Sequence, residues 1–295
     1  MSQSISFSPL IIGTMRLGEW GAKMSTQELE TFIDQCLELG LNDFDHADIY
    51  GHYSTESEFG AVLKRRKDLR SKIQITTKCG IKLVTERRPD YKIQSYNSTK
   101  KYILACAERS LKELKIEQID LLLLHRPDFL MNPHDVAVAF ERLTIEGKVK
   151  AFGVSNYTVS QFDLLNSYTP LVNNQIEVSL THRNAFEDGT LDQCIKHKIT
   201  PTAWSPFGGG AIFAKTEDPT ILRIQKMAAE IAEKHNAQID QILLAWILKH
   251  PAKIVPVLGT TKIERIKDAL GALKIEITHE EWYELWRAAT GVDVP

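Results

Sequence analysis

Four side chains in the first half of the sequence have the types needed to move a proton: Asp45, Tyr50, Lys78 and His125. Tyr50 lies in Asp45-His46-Ala47-Asp48-Ile49-Tyr50-Gly51, Lys78 in Thr76-Thr77-Lys78-Cys79-Gly80, and His125 directly follows Leu122-Leu123-Leu124. A phenol titrates at about 10, too high for an easy proton relay near neutrality. A lysine ammonium beside it favours the phenolate and lowers that value. A buried lysine needs a counter-charge, which Asp45 can supply. Asp45, Tyr50 and Lys78 therefore form a candidate general-acid unit, and His125 is suited to orient a carbonyl oxygen. Taken singly, each has an ordinary reading: surface charge for the lysine, structural hydrogen bonding for the histidine, packing for the tyrosine. Their occurrence at the ends of successive apolar runs sets them apart.

Those runs must position them. Eight short apolar stretches read as strands: 9–12, 43–45, 73–77, 119–124, 149–154, 172–175, 200–203 and 254–258. Such runs suit strands covered by helices. Between them lie amphipathic segments with helix-start signals. Ser25 with Glu28, Thr55 with Glu58, Thr158 with Gln161, Thr190 with Gln193, Thr261 with Glu264 and Thr278 with Glu281 all read as capping boxes. Asn132-Pro133 reads as an N-cap with proline at the first helical position, and Gly40 and Gly147 stand where helices stop. Cys36 and Cys106 fall on apolar helix faces and read as core. Strand-helix alternation implies a parallel sheet, and eight strands favour an α/β architecture closed as a single (β/α)8 TIM barrel over residues 1–295. In a barrel the strand ends converge on one face. The long loop 80–97, with Lys82, Arg87, Arg88, Tyr91 and Tyr96, would project there.

Composition narrows the classes. The 295 residues are 43% hydrophobic and 25% charged, with formal net charge −2, ordinary for a globular chain with a sizeable core. Nothing in that balance asks for nucleic acid or an anionic membrane. Residues 1–9 lack a basic, apolar leader, and the four scattered cysteines, with no CxxC pair, suit a reducing compartment. A cytoplasmic location is expected. Cys79, next to Lys78, is a candidate redox-sensitive thiol, although an inert strand-end cysteine is the simpler reading. No metal is expected, since Asp45 and His46 should face opposite sides of a strand.

The sequence around these residues resembles the aldo-keto reductase superfamily over essentially its whole length, and its bacterial predicted-oxidoreductase branch in particular. The matching stretches are Asp45 to Gly51, Lys78, Leu122-Leu123-Leu124-His125-Arg126-Pro127, and Gly147-Lys148-Val149-Lys150-Ala151-Phe152-Gly153-Val154-Ser155-Asn156. The resemblance implies a catalytic tetrad of Asp45, Tyr50, Lys78 and His125. It implies reduction of an aldehyde or ketone by hydride transfer from NADPH (released as NADP+), with Tyr50 protonating the oxygen. Binding without a Rossmann fingerprint is also implied, and no GxGxxG follows a strand here. Ser155, Asn156 and Gln175 would hold the nicotinamide carboxamide. Trp204 stands where the family commonly has a stacking tyrosine, so the hydroxyl is lost. Ser205, Pro206, Phe207, Gly208, Gly209 and Gly210 would follow the pyrophosphate, where glycine lets backbone N–H groups approach. Gly259, Thr260, Thr261, Lys262 and Arg265 would take the adenosine 2′-phosphate, which arginine suits through bidentate bonding. Asp268-Ala269 departs from a frequent Glu-Asn pair that contacts the adenine. Substrate contacts are expected from Trp20, Tyr50, His125 and Phe129, and specificity from the loop 80–97, Met131 and residues 282–295. These partly aromatic segments suggest an apolar or aromatic small-molecule carbonyl. A rival reading keeps NADP(H) binding but replaces turnover with redox sensing for a partner protein. Oligomeric state is not legible, and a monomer suffices.

Overall fold

The computed structural model describes residues 5–295; residues 1–4, which begin both the leader-free stretch and the 1–295 domain expected above, lie outside the described residues. Eight parallel strands form a closed barrel: β1 (Ile11–Gly13), β2 (Asp43–Asp45), β3 (Gln74–Cys79), β4 (Ile119–Leu124), β5 (Val149–Ser155), β6 (Asn174–Glu177), β7 (Thr202–Trp204) and β8 (Val255–Leu258). Their order around the barrel is β1-β8-β7-β6-β5-β4-β3-β2. The register is continuous where the candidate residues lie: Asp45 pairs with Thr76, Lys78 with Leu123 and Ser155 with Gln175. Strands covered on both faces are largely apolar, and all six residues of β4 are buried, Asp120 included.

Several boundaries differ from the expected ones. β1 starts two residues later than its apolar run, at Ile11, and β6 at Asn174 rather than 172. β3 runs on to Cys79, so Lys78 is a ladder residue and does not follow the strand. Ser155 and Trp204 likewise end their strands from within. The loop 80–97 contains a small antiparallel ribbon, Ile81–Lys82 against Ser95–Tyr96. Two residues per strand are too few to show a period.

The capping boxes at Ser25, Thr158 and Thr278 form, as does the Asn132 cap. Three others do not. The helix Thr55–Arg65 continues from the turn Tyr50–Tyr53, so Ser54 at its N-cap is already helical. The helix Thr190–His197 starts from Gly189 in the left-handed region (φ 83), and Thr190 donates its own N–H to Asp188 Oδ1 at 2.9 Å. Lys262, not Thr261, caps the helix Ile263–Ala269, with no side-chain bond. Gly40 and Gly147 lie just past their helices at φ 76 and 69, where other residues would be strained.

Contacts divide the chain into two compact units, one running to Gln175 and including Gly259–Thr261, the other Ile176–Leu258 with Lys262–Pro295. In the first, Glu56 is buried between β3 and the helix Lys100–Leu114. It accepts from Thr77 Oγ1 at 2.6 Å and Ser110 Oγ at 3.0 Å. Burial raises its carboxyl from 4.5 to about 7, and those two hydroxyl bonds only partly oppose the rise. Gly60 lies in the helix Thr55–Arg65, against Lys100–Leu114, where a Cβ would run into the Glu113 carbonyl oxygen. Cys36 and Cys106 are fully buried, as the helix pattern requires.

The second unit is built around a tryptophan stack. Trp246 and Trp282 lie 5.1 Å apart at 14°, and Trp282 and Trp286 5.5 Å apart at 20°. Each of the first two indoles donates its Nε1–H to the other's backbone carbonyl, at 3.2 and 3.0 Å. Trp282 and Trp286 belong to the helix His279–Thr290. Both are half-buried and pack against the core of this unit. Among the described residues, no helix is long and apolar enough to cross a membrane.

Candidate functional site

The segment from Asp45 to Tyr50 extends the pairing of β2 with β3: His46 N–H donates to the Thr76 carbonyl at 2.8 Å and Asp48 N–H to the Lys78 carbonyl at 3.0 Å. The chain then turns tightly, with Gly51, His52 and Tyr53 all at positive φ (56, 52 and 72), and Tyr50 faces back toward β3. Lys78 Nζ donates to Asp45 Oδ2 at 2.6 Å, to the His46 carbonyl at 2.7 Å and to Tyr50 Oη at 3.3 Å. Lys78 is 1% exposed and Asp45 3%, so this ion pair is shielded from water. His125, held by its N–H to the Cys79 carbonyl at 2.8 Å, sets its ring 6.1 Å from the Tyr50 ring at 80°. The four expected catalytic residues are thus together.

His46 turns away from them, as anticipated. Its Nδ1 lies 3.1 Å from Thr14 Oγ1, and its ring packs edge-on against Phe59. Among the described residues no cluster of three or more His, Cys, Asp or Glu could hold a metal.

Burial rather than Lys78 sets the tyrosine's proton affinity. It raises Tyr50 above the ordinary phenol range; the Lys78 ammonium opposes this and Asp45 adds to it. The sequence-based expectation of a lowered value is corrected: an ammonium whose charge Asp45 already balances has too little field left to offset desolvation. Burial pulls Lys78 down, but Asp45 and Tyr50 outweigh it and the net shift is upward, so the amine stays charged. Burial, with Lys78 and Arg126 nearby, drives His125 well below the usual histidine range, so the ring is neutral. Its Nδ1 is buried without a hydrogen-bond partner. The arrangement at neutral pH is a protonated phenol, a charged amine, a carboxylate partner and a neutral imidazole.

Gln175, expected only as a cofactor contact, donates its side-chain amide to Asp45 Oδ1 at 2.9 Å. Its carbonyl accepts from Ser155 Oγ at 2.9 Å and from the Asn156 N–H at 2.9 Å. Asn156, at φ 60, donates Nδ2–H to Ser155 Oγ at 2.7 Å. The polar ends of β5 and β6 are therefore wired to the same aspartate as Lys78. The adjacent strand ends were the sequence signal, but not the pairing itself.

Of the expected substrate contacts, Trp20 lies 6.2 Å from the Tyr50 ring. Phe129 is 86% exposed, whereas among the described residues the rings of Trp20 and His125 pack near Tyr50.

The aldo/keto reductase family model matches residues 9–289. The chain belongs to that family. The chain is 41% identical over 297 residues to "Uncharacterized oxidoreductase YcsN" of Bacillus subtilis (strain 168), covering 100% of this chain and 98% of the relative. It is 38% identical over 296 residues to a "6-dehydroglucose reductase" of Agrobacterium fabrum, covering 100% and 98%. Its structure is similar to the crystal structure of a thermostable aldo-keto reductase, Tm1743, in complex with the inhibitor epalrestat, with TM-score 0.80, 25% identity and 96% and 95% coverage. The protein is an oxidoreductase with the closed barrel of its family.

In the second unit, β7 delivers Trp204 to a turn with Ser205, Gly208, Gly209 and Gly210 all at positive φ (51, 59, 66 and 98). At Gly208 a Cβ would strike Thr181 Oγ1, whereas at Gly209 and Gly210 it would meet nothing. Within the turn the Gly208 N–H donates to the Ser205 carbonyl at 2.8 Å and the Gly210 N–H to the Phe207 carbonyl at 3.0 Å. Lys262 and Arg265 are exposed one helical turn apart, with Arg265 N–H on the Lys262 carbonyl at 3.1 Å. Gly259, Thr260 and Thr261 belong to the first unit.

Proposed function

We propose that this chain reduces an aldehyde or ketone to the alcohol with NADPH, using Tyr50 as the general acid, and that residues 1–295 work as one catalytic domain. The observation that carries this reading is the shielded Lys78 ammonium bonded to both Asp45 and Tyr50. A buried phenol keeps its proton at neutral pH and can deliver it only if the phenolate left behind is stabilised. Lys78, already 3.3 Å from the oxygen, does that without reorganisation. Asp45 keeps the amine charged, and Gln175 fixes the carboxylate from its other oxygen. Neutral His125 has one N–H with which to orient the carbonyl oxygen.

The donor set suits NADPH, which when bound supplies the hydride. Ser155, Asn156 and Gln175 would hold the carboxamide, and Trp204 would stack on the nicotinamide. The turn from Ser205 to Gly210 would take the pyrophosphate. Gly259, Thr260, Thr261, Lys262 and Arg265 would take the 2′-phosphate, the cations giving NADPH its advantage over NADH. Trp20 would line the substrate pocket beside Tyr50 and His125. The relative named 6-dehydroglucose reductase adds a sugar aldehyde to the apolar and aromatic carbonyls worth testing.

The test is NADPH oxidation, followed by absorbance, against aromatic and aliphatic aldehydes, ketones and 6-dehydroglucose, with Tyr50→Phe as control. Turnover that collapses in the variant supports the reading. Turnover that survives it removes Tyr50 from its role. NADPH binding with no turnover on any carbonyl leaves the sensing role instead.

A further inference from the structure

The proposed chemistry does not use the loop 80–97, yet that loop reaches the wall of the site. Arg87 Nη1 donates to the Gly51 carbonyl at 3.0 Å, one residue from Tyr50, and its Nη2 lies 3.3 Å from Glu19 Oε2. The other oxygen of Glu19 meets His52 Nδ1 at 2.9 Å. The His52 ring in turn faces the Trp20 Nε1–H, 3.2 Å from its ring nitrogens, with the two rings edge to face at 5.2 Å and 89°. Trp20 is the indole that lies against Tyr50. The His52 bond, reinforced by the Arg87 charge, holds the Glu19 carboxyl below its ordinary range, so Glu19 meets the Arg87 guanidinium as a carboxylate. The backbone cooperates: His52 sits at φ 52 directly after Gly51 at φ 56, and this turn carries its ring beside Trp20.

We propose that Glu19, His52 and Arg87 are specificity-determining positioning residues: they latch Trp20 in place against Tyr50 and so favour carbonyl substrates that carry a flat apolar group. The inference rests on the reading of Tyr50 as the reaction centre. An indole already fixed in its bound orientation costs the substrate less ordering on binding. The latch acts on binding and not on the proton transfer, because none of its members touches Tyr50 Oη, Lys78 or Asp45. Its members are 40–49% exposed, so each link is modest and screened by salt. A small carbonyl that does not reach Trp20 gains nothing from the latch.

The test uses Glu19→Gln, Arg87→Met and His52→Asn, the last because asparagine tolerates the left-handed backbone. KM and kcat are measured for 4-nitrobenzaldehyde and for methylglyoxal. The emission of Trp20 is isolated by subtracting the spectrum of each protein's Trp20→Phe counterpart. The expected result is a KM for 4-nitrobenzaldehyde raised by roughly 2- to 5-fold per variant, with kcat and the methylglyoxal KM unchanged. Trp20 emission should shift toward that of a freer, more quenchable indole. A kcat loss at constant KM, or an equal KM rise for both carbonyls, overturns the proposal. If the wild-type protein reduces neither carbonyl, the proposed function is what has failed. The emission arm then decides the latch by itself: an unchanged Trp20 signal in all three variants overturns it.

Discussion

Glu56 should make the fold weaken as pH rises through neutrality, and replacing it with glutamine should remove that dependence. The carboxyl is buried, accepts two hydroxyl bonds and is raised from 4.5 to about 7. The folded state therefore holds the Glu56 proton more tightly than the unfolded chain does. Its contribution is fully present below about pH 4.5 and is lost as pH rises through about 7. At about 1.4 kcal/mol per unit, a rise from 4.5 to about 7 is worth about 3 kcal/mol. Glutamine is nearly isosteric, keeps an oxygen for Thr77 or Ser110, and does not titrate. Urea unfolding of both proteins, followed at a series of pH values, measures the difference between them, in which every shared titration cancels. That difference should move by about 3 kcal/mol in favour of Glu56→Gln between about pH 4.5 and about pH 8. Curves that stay parallel over this interval would refute the buried protonated carboxyl and the packing from which it was inferred.

Tyr50→Phe should lower kcat by roughly 10²- to 10⁴-fold while leaving the NADPH dissociation constant within error, measured by fluorescence titration. Arg265→Ala should raise the dissociation constant for NADPH by roughly tenfold or more and that for NADH little; equal losses would remove the 2′-phosphate assignment. Gly60→Ala should destabilise the protein by about 1–3 kcal/mol, since the Glu113 carbonyl must move to admit a methyl; calorimetry shows this as a lower melting temperature.

The barrel was legible because its strands are wrapped by helices, which turns each into a short apolar run with a polar residue at one end. The candidate site was legible for the same reason: Asp45, Lys78, His125, Ser155 and Gln175 interrupt apolar stretches in order. Boundaries were less legible. Lys78 lies inside β3 because its ladder with Leu123 continues past the point where apolarity stops. Thr55, Thr190 and Thr261 have the local chemistry of caps but lie one residue inside the helix or before its cap, a choice made by the preceding backbone. The proton affinity of Tyr50 is not legible because sequence names the neighbouring lysine but not the depth of burial that raises it. The contacts Glu19–His52 and Glu19–Arg87 join residues far apart in sequence, and no periodicity marks them. The division into two contact units has no shift in composition or linker to announce it.

The stacked indoles of the second unit have an optical consequence. Transitions on Trp246, Trp282 and Trp286, whose successive rings lie 5.1 and 5.5 Å apart, couple into shared excitations, which split with opposite circular-dichroism sign where the transition dipoles are twisted about the stack. The first unit contributes Trp20 alone to the five tryptophans, so it adds emission but no couplet. The chain thus carries two spectroscopic labels of its own, and loss of the couplet can be timed against the change in Trp20 emission, isolated by difference from Trp20→Phe, as the protein unfolds. Coincident loss would mean the two halves melt as one cooperative body, while a lag would give each its own stability without any added dye.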